Sequence, residues 1–257
     1  MKQWIANAIE AFNSNVQKNQ YYREEEKQKA IFKILEAYKN KNFKKINFFS
    51  FGNKKLNKNI MIFNLPAVVT CKCNCKGCYA QKAERLYKNT RIQRMINYIT
   101  MLLCQYNDNF KKYITDLFVM LIQIHGLSFK NPIIRIHESG DFFNKKYLNF
   151  WLNIINKIYE KQKDICFYTY SKQLDNKTID KINATYKNFN IVKSFIELDG
   201  KKYINFGNEE YIKMLSKKLD EHGLQYHICD YGHGNTMRCG VNCKACCKYS
   251  IVLFYIH

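Results

Sequence analysis

From residue 60 onward, short apolar runs alternate with longer stretches in which apolar side chains recur every three or four positions. That pattern predicts strands separated by helices. Ile60 to Leu65 reads as a first strand that stops at Pro66. A long helix over 79–105 follows, with Ile92, Met95, Ile96, Ile99, Leu102 and Leu103 on one face. A helix over 110–124 precedes a strand from Ile133 to His137. Tyr147, Leu148, Trp151, Leu152, Ile155, Ile158 and Tyr159 then mark an amphipathic helix. Next come a strand at 165–170, a polar helix near 174–187, a strand at 190–196 and a weaker one at 202–206. Tyr211, Ile212, Leu215 and Leu219 define another helix, with Gly223 placed to cap it. Strands at 224–228 and 251–256 finish the chain. Ahead of all this, residues 1–45 read as two charged helices, with Trp4, Ile5, Ala8, Ile9 and Phe12 and then Ile31, Ile34, Leu35 and Tyr38 at helical spacing. Residues 46–59, with Gly52-Asn53 in the middle, read as a turn-rich connection.

Strands separated by helices imply an α/β fold of parallel β-α units. About six strands predict a partial (β/α) barrel, with chemistry on the loops at the strands' C-terminal ends; an open doubly wound sheet fits the same pattern. The expected organisation is an N-terminal helical extension over 1–45, the partial barrel over 46–228, and a Cys-rich metal-binding segment with the last strand over 229–257.

Composition narrows this picture. The 257 residues, 47% of them hydrophobic, can bury one substantial core. A formal charge of +21, from 42 Lys and Arg against 21 Asp and Glu, suits an acidic partner such as a nucleotide or nucleic acid. The lysines are scattered, however, and the excess of Lys, Asn, Ile, Tyr and Phe matches coding in an AT-rich genome, which accounts for the charge without a dedicated surface. Lys2, Asn7 and Glu10 interrupt the N-terminal apolar positions, so no signal peptide is expected. The most apolar stretch, Leu117 to Leu127, contains Gln123 and His125 and is too short for a bilayer. A cytoplasmic protein with no membrane partner is the expectation. Eleven cysteines in such a chain argue for metal binding over a disulfide framework. Cys104 and Cys166 stand alone in apolar runs and read as core thiols; the other nine fall into two knots.

The first knot is Cys71-x3-Cys75-x2-Cys78, between a strand and a helix, with Cys73 as an additional thiol. Three thiolates on a short loop can each take one iron of a four-iron, four-sulfur (4Fe–4S) cluster and leave the fourth iron open. An open iron can chelate S-adenosylmethionine and pass one electron into its sulfonium bond. Four thiolates on one zinc is the alternative, although four ligands within eight residues crowd a tetrahedral site. The spacing resembles that of the radical S-adenosylmethionine superfamily, with two departures: Gly77 stands where an aromatic residue usually precedes the third cysteine, with Tyr79 as its substitute, and Cys73 is extra. That resemblance implies that Ser139, Gly140 and Asp141, at the end of the second core strand, bind the cofactor's amino group. An ordinary turn capping the next helix is the other reading of the same residues. Arg135, His137 and Glu138 are further polar candidates, with Arg135 and His137 on one face if the strand alternates. Tyr168, Ser171 and Lys172 end the third core strand.

The second knot, Cys229-x9-Cys239-x3-Cys243-x2-Cys246, offers four thiolates. They would saturate either a zinc ion or an auxiliary 4Fe–4S cluster, a structural or electron-conducting role. Cys247 is a spare or alternative ligand, and His227, His233 and His257 could join a mixed site.

Taken together, FFSFGNKKLNKNIMIFNLPAVVTCKCNCKGCYA, TRIQRMIN, IRIHESGDFF, FYTYSK and RCGVNCKAC resemble the phage "gene product 88" family over about residues 48–257. The resemblance implies a bacteriophage, prophage or mobile-element origin, hence the cytoplasm of a bacterial host. It also implies that Gly52, Asn53, Lys55, Leu56, Arg91 and Arg94 belong to a shared core, where an arginine near the cluster could bind an anion. The expected function is that of a radical S-adenosylmethionine-type enzyme served by an electron donor, its substrate unidentified. The alternative is a non-catalytic zinc protein that binds nucleic acid.

Overall fold

The computed structural model describes residues 2–53, 56–71, 78–229, 239 and 243–255. Eight α-helices and ten strands are found among them. In chain order they are α1 (Gln3–Val16), α2 (Glu24–Lys39), β1 (Phe49–Phe51), β2 (Ile60–Phe63), α3 (Tyr79–Leu86), α4 (Lys88–Tyr106), α5 (Asp108–Ser128), β3 (Ile133–Ile136) and α6 (Lys145–Lys161). There follow β4 (Cys166–Ser171), α7 (Asn176–Thr185), β5 (Phe189–Lys193), β6 (Phe195–Leu198), β7 (Lys201–Ile204), β8 (Phe206–Gly207), α8 (Glu209–Glu221), β9 (His227–Ile228) and β10 (Val252–Tyr255).

The fold is mixed α/β, built on a five-stranded sheet in the order β1-β2-β3-β4-β5. β3 pairs with β4 and β4 with β5 in parallel, with Ile134 opposite Phe167 and Thr169 opposite Ile191. Bonds from Ile133 N to Asn59 O and from His137 N to Phe63 O advance together along β2 and β3, the parallel pattern. The order follows the sequence without the reversal that marks a doubly wound sheet. Strand count is where the expectation needs correction. The segment near 190–206 divides into β5 and an antiparallel β6–β7 hairpin, and the last strands form a separate parallel sheet in the order β8-β10-β9. β1 lies where a turn-rich connection was expected, because FSF is too short to show a period.

Two compact units make up the chain: Met1–Ser50 with Ile62–Ile122 and His137–Ile154, and Phe51–Met61 with Gln123–Ile136 and Ile155–His257. In the first, Phe118 lies fully buried at the centre of an aromatic cluster, with ring centroids 5.1 Å from Phe48, 5.0 Å from Phe49, 5.6 Å from Phe63 and 5.9 Å from Trp151. Tilted and edge-on pairs of this kind add to what burial alone supplies. In the second, Ile212, Leu215 and Leu219 of α8 pack with Ile196, Leu198, Ile251 and Leu253. Gly223 ends α8 as expected: its φ is +64°, its N–H bonds Asp220 O, and Leu224 N bonds Leu219 O, the paired bonds of a Schellman cap.

The helix expected over 79–105 is two helices. Tyr87 is extended (φ −120°, ψ 106°) and separates α3 from α4. The carbonyls freed where α3 ends do not go to water, since Arg91 reaches back from α4 to Glu84 O and Arg85 O. No helix among the described residues is long and apolar enough to cross a membrane.

Phe118→Ala should lower the stability of the first unit by about 3–5 kcal/mol. Both tryptophans, Trp4 and Trp151, belong to that unit, so urea unfolding followed by their fluorescence reads it directly. A loss under about 1 kcal/mol would show that the aromatic cluster is not tightly packed.

Candidate functional site

The loop after β2 and the loop after β3 are stitched together before the first cysteine is reached. The Asn64 Oδ1 accepts from both Glu138 N and Ser139 N at 2.8 Å. Leu65 N donates to Ser139 O at 2.9 Å, and the Ser139 hydroxyl returns a bond to Leu65 O at 2.9 Å. Asn97 of α4 holds the same segment through Asn64 O. Gly140 is required here by its backbone: φ is +89°, and a Cβ would lie 2.6 Å from Leu65 Cβ and from Thr70 Oγ1. The close approach that a glycine permits is thus made to the chain's own 65–70 segment. Ser139 and Asp141 are each only 2% exposed, and Asp141 Oδ1 accepts from Phe142 N.

This stitched pair of loops carries the first cysteine knot. Thr70 is tied to Pro66 O through both its N–H and its hydroxyl. Val68 takes a left-handed φ of +66°, and its N–H points at Cys71 Sγ, 3.2 Å away. A backbone N–H aimed at sulfur stabilises a thiolate, the form that ligates metal. Cys78 lies immediately before α3, and the Tyr79 hydroxyl donates to Glu138 O, joining α3 to the β3 loop. Cys73, Cys75, Gly77 and Lys55 lie outside the described residues. The donor type and the Val68 N–H both fit an iron–sulfur cluster held at Cys71 and Cys78.

Both flanks of that loop are fixed by one buried carboxylate. Glu84 of α3 is fully buried. Its Oε1 accepts from Ala67 N at 2.8 Å and from Arg94 Nη1 at 2.9 Å, and its Oε2 accepts from Asn19 Nδ2 at 2.7 Å. Arg94 also bonds Ala80 O. Arg91 forks onto Glu26 of α2 at 2.7 and 2.5 Å, and this hydrogen bonding to Glu26 raises the guanidinium's pKa. Burial, and then Glu84, raises the Tyr22 phenol well above its usual value. The expectation that Arg91 or Arg94 could bind an anion at the cluster is therefore corrected: both guanidiniums are buried and committed to Glu26 and Glu84. Glu84, Glu26, Asn19 and Asn64 were missed in the sequence because each stands alone among ordinary polar positions; the spacing of Arg91 and Arg94, one turn apart, was the only hint.

Arg135 and His137 do not act as one face. The guanidinium of Arg135 sits over the rings of Tyr168 and Tyr170, at 5.8 and 5.6 Å. His137 takes a left-handed φ of +67°, which breaks the strand's alternation, and its Nε2 lies 2.7 Å from Tyr147 Oη. The Ser171 hydroxyl accepts from Gln173 N and Leu174 N and closes a turn after β4.

In the second knot, Cys246 packs against Cys229 in a small buried cluster with Val192 and Val252. Cys229, at the end of β9, is buried. Cys239 bridges Leu56 and Cys243 through its backbone. Cys243 Sγ is 4.0 Å from His227 Nε2, whose ring stacks on Tyr249. Cys246 Sγ lies 2.7 Å from the Tyr170 hydroxyl, and burial pushes its thiol up to about 12. Cys247 is joined to Cys166 as a disulfide. That corrects the readings of Cys166 as a core thiol and Cys247 as a spare ligand. Among the described residues no three Cys, His, Asp or Glu side chains converge on one metal position. His233 and His257 lie outside them. The four thiols suit a metal in kind.

Two substitutions test the network and the turn. Glu26→Ala strands a buried Arg91 and should cost about 3–5 kcal/mol, while Glu26→Met with Arg91→Met should recover most of it. Equal losses in the two variants would show that the charges are not coupled. Gly140→Ala should cost about 1–3 kcal/mol from backbone strain alone, read as a lowered urea midpoint. An unchanged midpoint would contradict the crowding against Leu65 and Thr70.

Comparison with known proteins yields no match among curated proteins and none among solved structures. A family model described as "Gene product 88" matches residues 35–248. That span takes in both cysteine knots, both stitched loops and Arg91 and Arg94, so on the greater part of its length the chain belongs to the gene product 88 family.

Proposed function

We propose that this protein is a radical S-adenosylmethionine-type enzyme, with Cys71, Cys75 and Cys78 as ligands of a 4Fe–4S cluster. The observation that carries this reading is the Val68 N–H on Cys71 Sγ, in a loop pinned on both sides by Glu84. When bound, the cluster and S-adenosylmethionine together supply one-electron cleavage of a sulfonium carbon–sulfur bond. The chain's own residues orient and shield. Cys71, Cys75 and Cys78 would hold the cluster, and Ser139, Gly140 and Asp141, in a turn whose Gly140 closely approaches Leu65 and Thr70, would bind the cofactor's amino group. Tyr79, largely exposed, presents its ring next to Cys78 and is offered as a cofactor contact in place of the missing aromatic at Gly77.

The barrel reading belongs to the same proposal. It is supported by a sheet that adds strands in sequence order, and by a bond from Lys193 N to Ser250 O that links the end of β5 to the residues before β10. We take residues 1–45 as an extension, 46–228 as the catalytic region and 229–257 as the segment of a second metal. Cys229, Cys239, Cys243 and Cys246 are its proposed ligands, for zinc or an auxiliary 4Fe–4S cluster, with the fold closing around the metal as it binds. A nucleotide or nucleic acid as substrate would suit the net charge of +21, and the reading also calls for an electron donor.

Anaerobically purified protein should be brown, contain iron and acid-labile sulfide, and release 5′-deoxyadenosine from S-adenosylmethionine when reduced. Cys75→Ala should abolish that release. Colourless protein carrying only zinc and retaining nucleic acid would instead support a non-catalytic binding protein.

A further inference from the structure

The cysteine that the sequence marks as a lone core thiol faces one that it marks as spare. Cys166 is the first residue of β4, placed by its N–H on Pro132 O and by register against Ile133. Cys247 belongs to the turn Ala245–Cys247, which is placed by other means. Asn190 of β5 donates to Cys246 O and to Tyr249 O, both at 2.8 Å, and Lys193 N donates to Ser250 O at 2.7 Å. Hydrogen bonds independent of sulfur therefore hold the two Cα atoms 6.4 Å apart, inside the range a disulfide spans. Both partners are half-buried and within reach of small thiols.

We propose that Cys166 and Cys247 form a reversible dithiol–disulfide pair that latches the C-terminal Cys-rich turn to β4. The oxidant is a low-molecular-weight disulfide such as oxidised glutathione. Two S–H bonds and the glutathione S–S bond break, the Cys166–Cys247 bond forms, and two protons and two electrons leave on two reduced glutathiones. Because the backbone already sets the distance, closure needs no rearrangement. The cross-link closes a separation of 81 residues, which restrains the free chain strongly. Cys246, a proposed metal ligand, is the next residue along, so the latch also governs how freely that ligand moves. The pairing does not depend on the cofactor proposed at Cys71.

The test uses the full chain equilibrated with oxidised or reduced glutathione, alkylated with N-ethylmaleimide and mapped by mass spectrometry. The oxidised sample should yield a Cys166–Cys247 linked peptide and two fewer alkylated sites than the reduced one. Tryptic cleavage at Lys244 and Lys248 should be slowed roughly tenfold by oxidation. Cys166→Ser and Cys247→Ser should each remove that redox dependence; the second lies in a surface turn and keeps the test open if the first fails to fold. Full alkylation of both cysteines after oxidation would overturn the proposal. So would a link from Cys247 to another cysteine, or protection that a chelator abolishes and dithiothreitol does not.

Discussion

Burying a carboxylate is costly unless both of its oxygens find donors, and Glu84 meets that condition with a backbone amide, an amide side chain and a guanidinium. Those donors come from three separate parts of the first unit: Ala67 ahead of the cysteine loop, Asn19 between the N-terminal helices, and Arg94 on α4. Because none of the three can move without leaving an uncompensated charge, the loop from 67 to 84 is held at both ends however its middle is arranged. Arg91 extends the same logic to Glu26, and its bonds to Glu84 O and Arg85 O stop α3 where the chain must turn into α4. The gain is placement more than stability. Apolar side chains could fill the same volume as cheaply, but they would not fix a direction.

The β3 loop depends on this anchorage at one remove. Asn64 and Leu65 carry the bonds to Glu138 and Ser139, so the turn at 139–141 takes its position from the strand before the cysteines. Ser139 illustrates how a residue assigned to a ligand can be structural as well. Its hydroxyl already has an acceptor in Leu65 O, and the glycine after it is needed because the neighbouring chain leaves no room for a Cβ.

Much of the fold was legible in the pattern of apolar residues. The strands at 60–65, 133–137 and 165–170, the helix carrying Trp151 and the cap at Gly223 all follow from period and turn chemistry. What escaped were features with no period. β1 is three residues long, β6 and β7 lie inside a stretch with two plausible divisions, and the break at Tyr87 interrupts no apolar stripe. At the site, the cysteine spacing stands out because four cysteines within eight residues are rare, whereas Ser139-Gly140-Asp141 reads as ordinary turn chemistry until the φ of Gly140 is known. The charge network was not visible, since a Glu on a helix gives no sign of burial until its partners are known. The same limit hid Cys166 and Cys247, whose meeting is a matter of register between β4 and a turn 81 residues away.

Asn19 and Glu26 precede residue 35, where the family match begins, yet they answer Glu84 and Arg91 inside it. In a chain lacking that segment Arg91 would face water and keep its bonds to Glu84 O and Arg85 O, so its charge would need no acid. The stretch ahead of the shared region is thus what turns Arg91 from a solvated donor at a helix start into half of a buried ion pair.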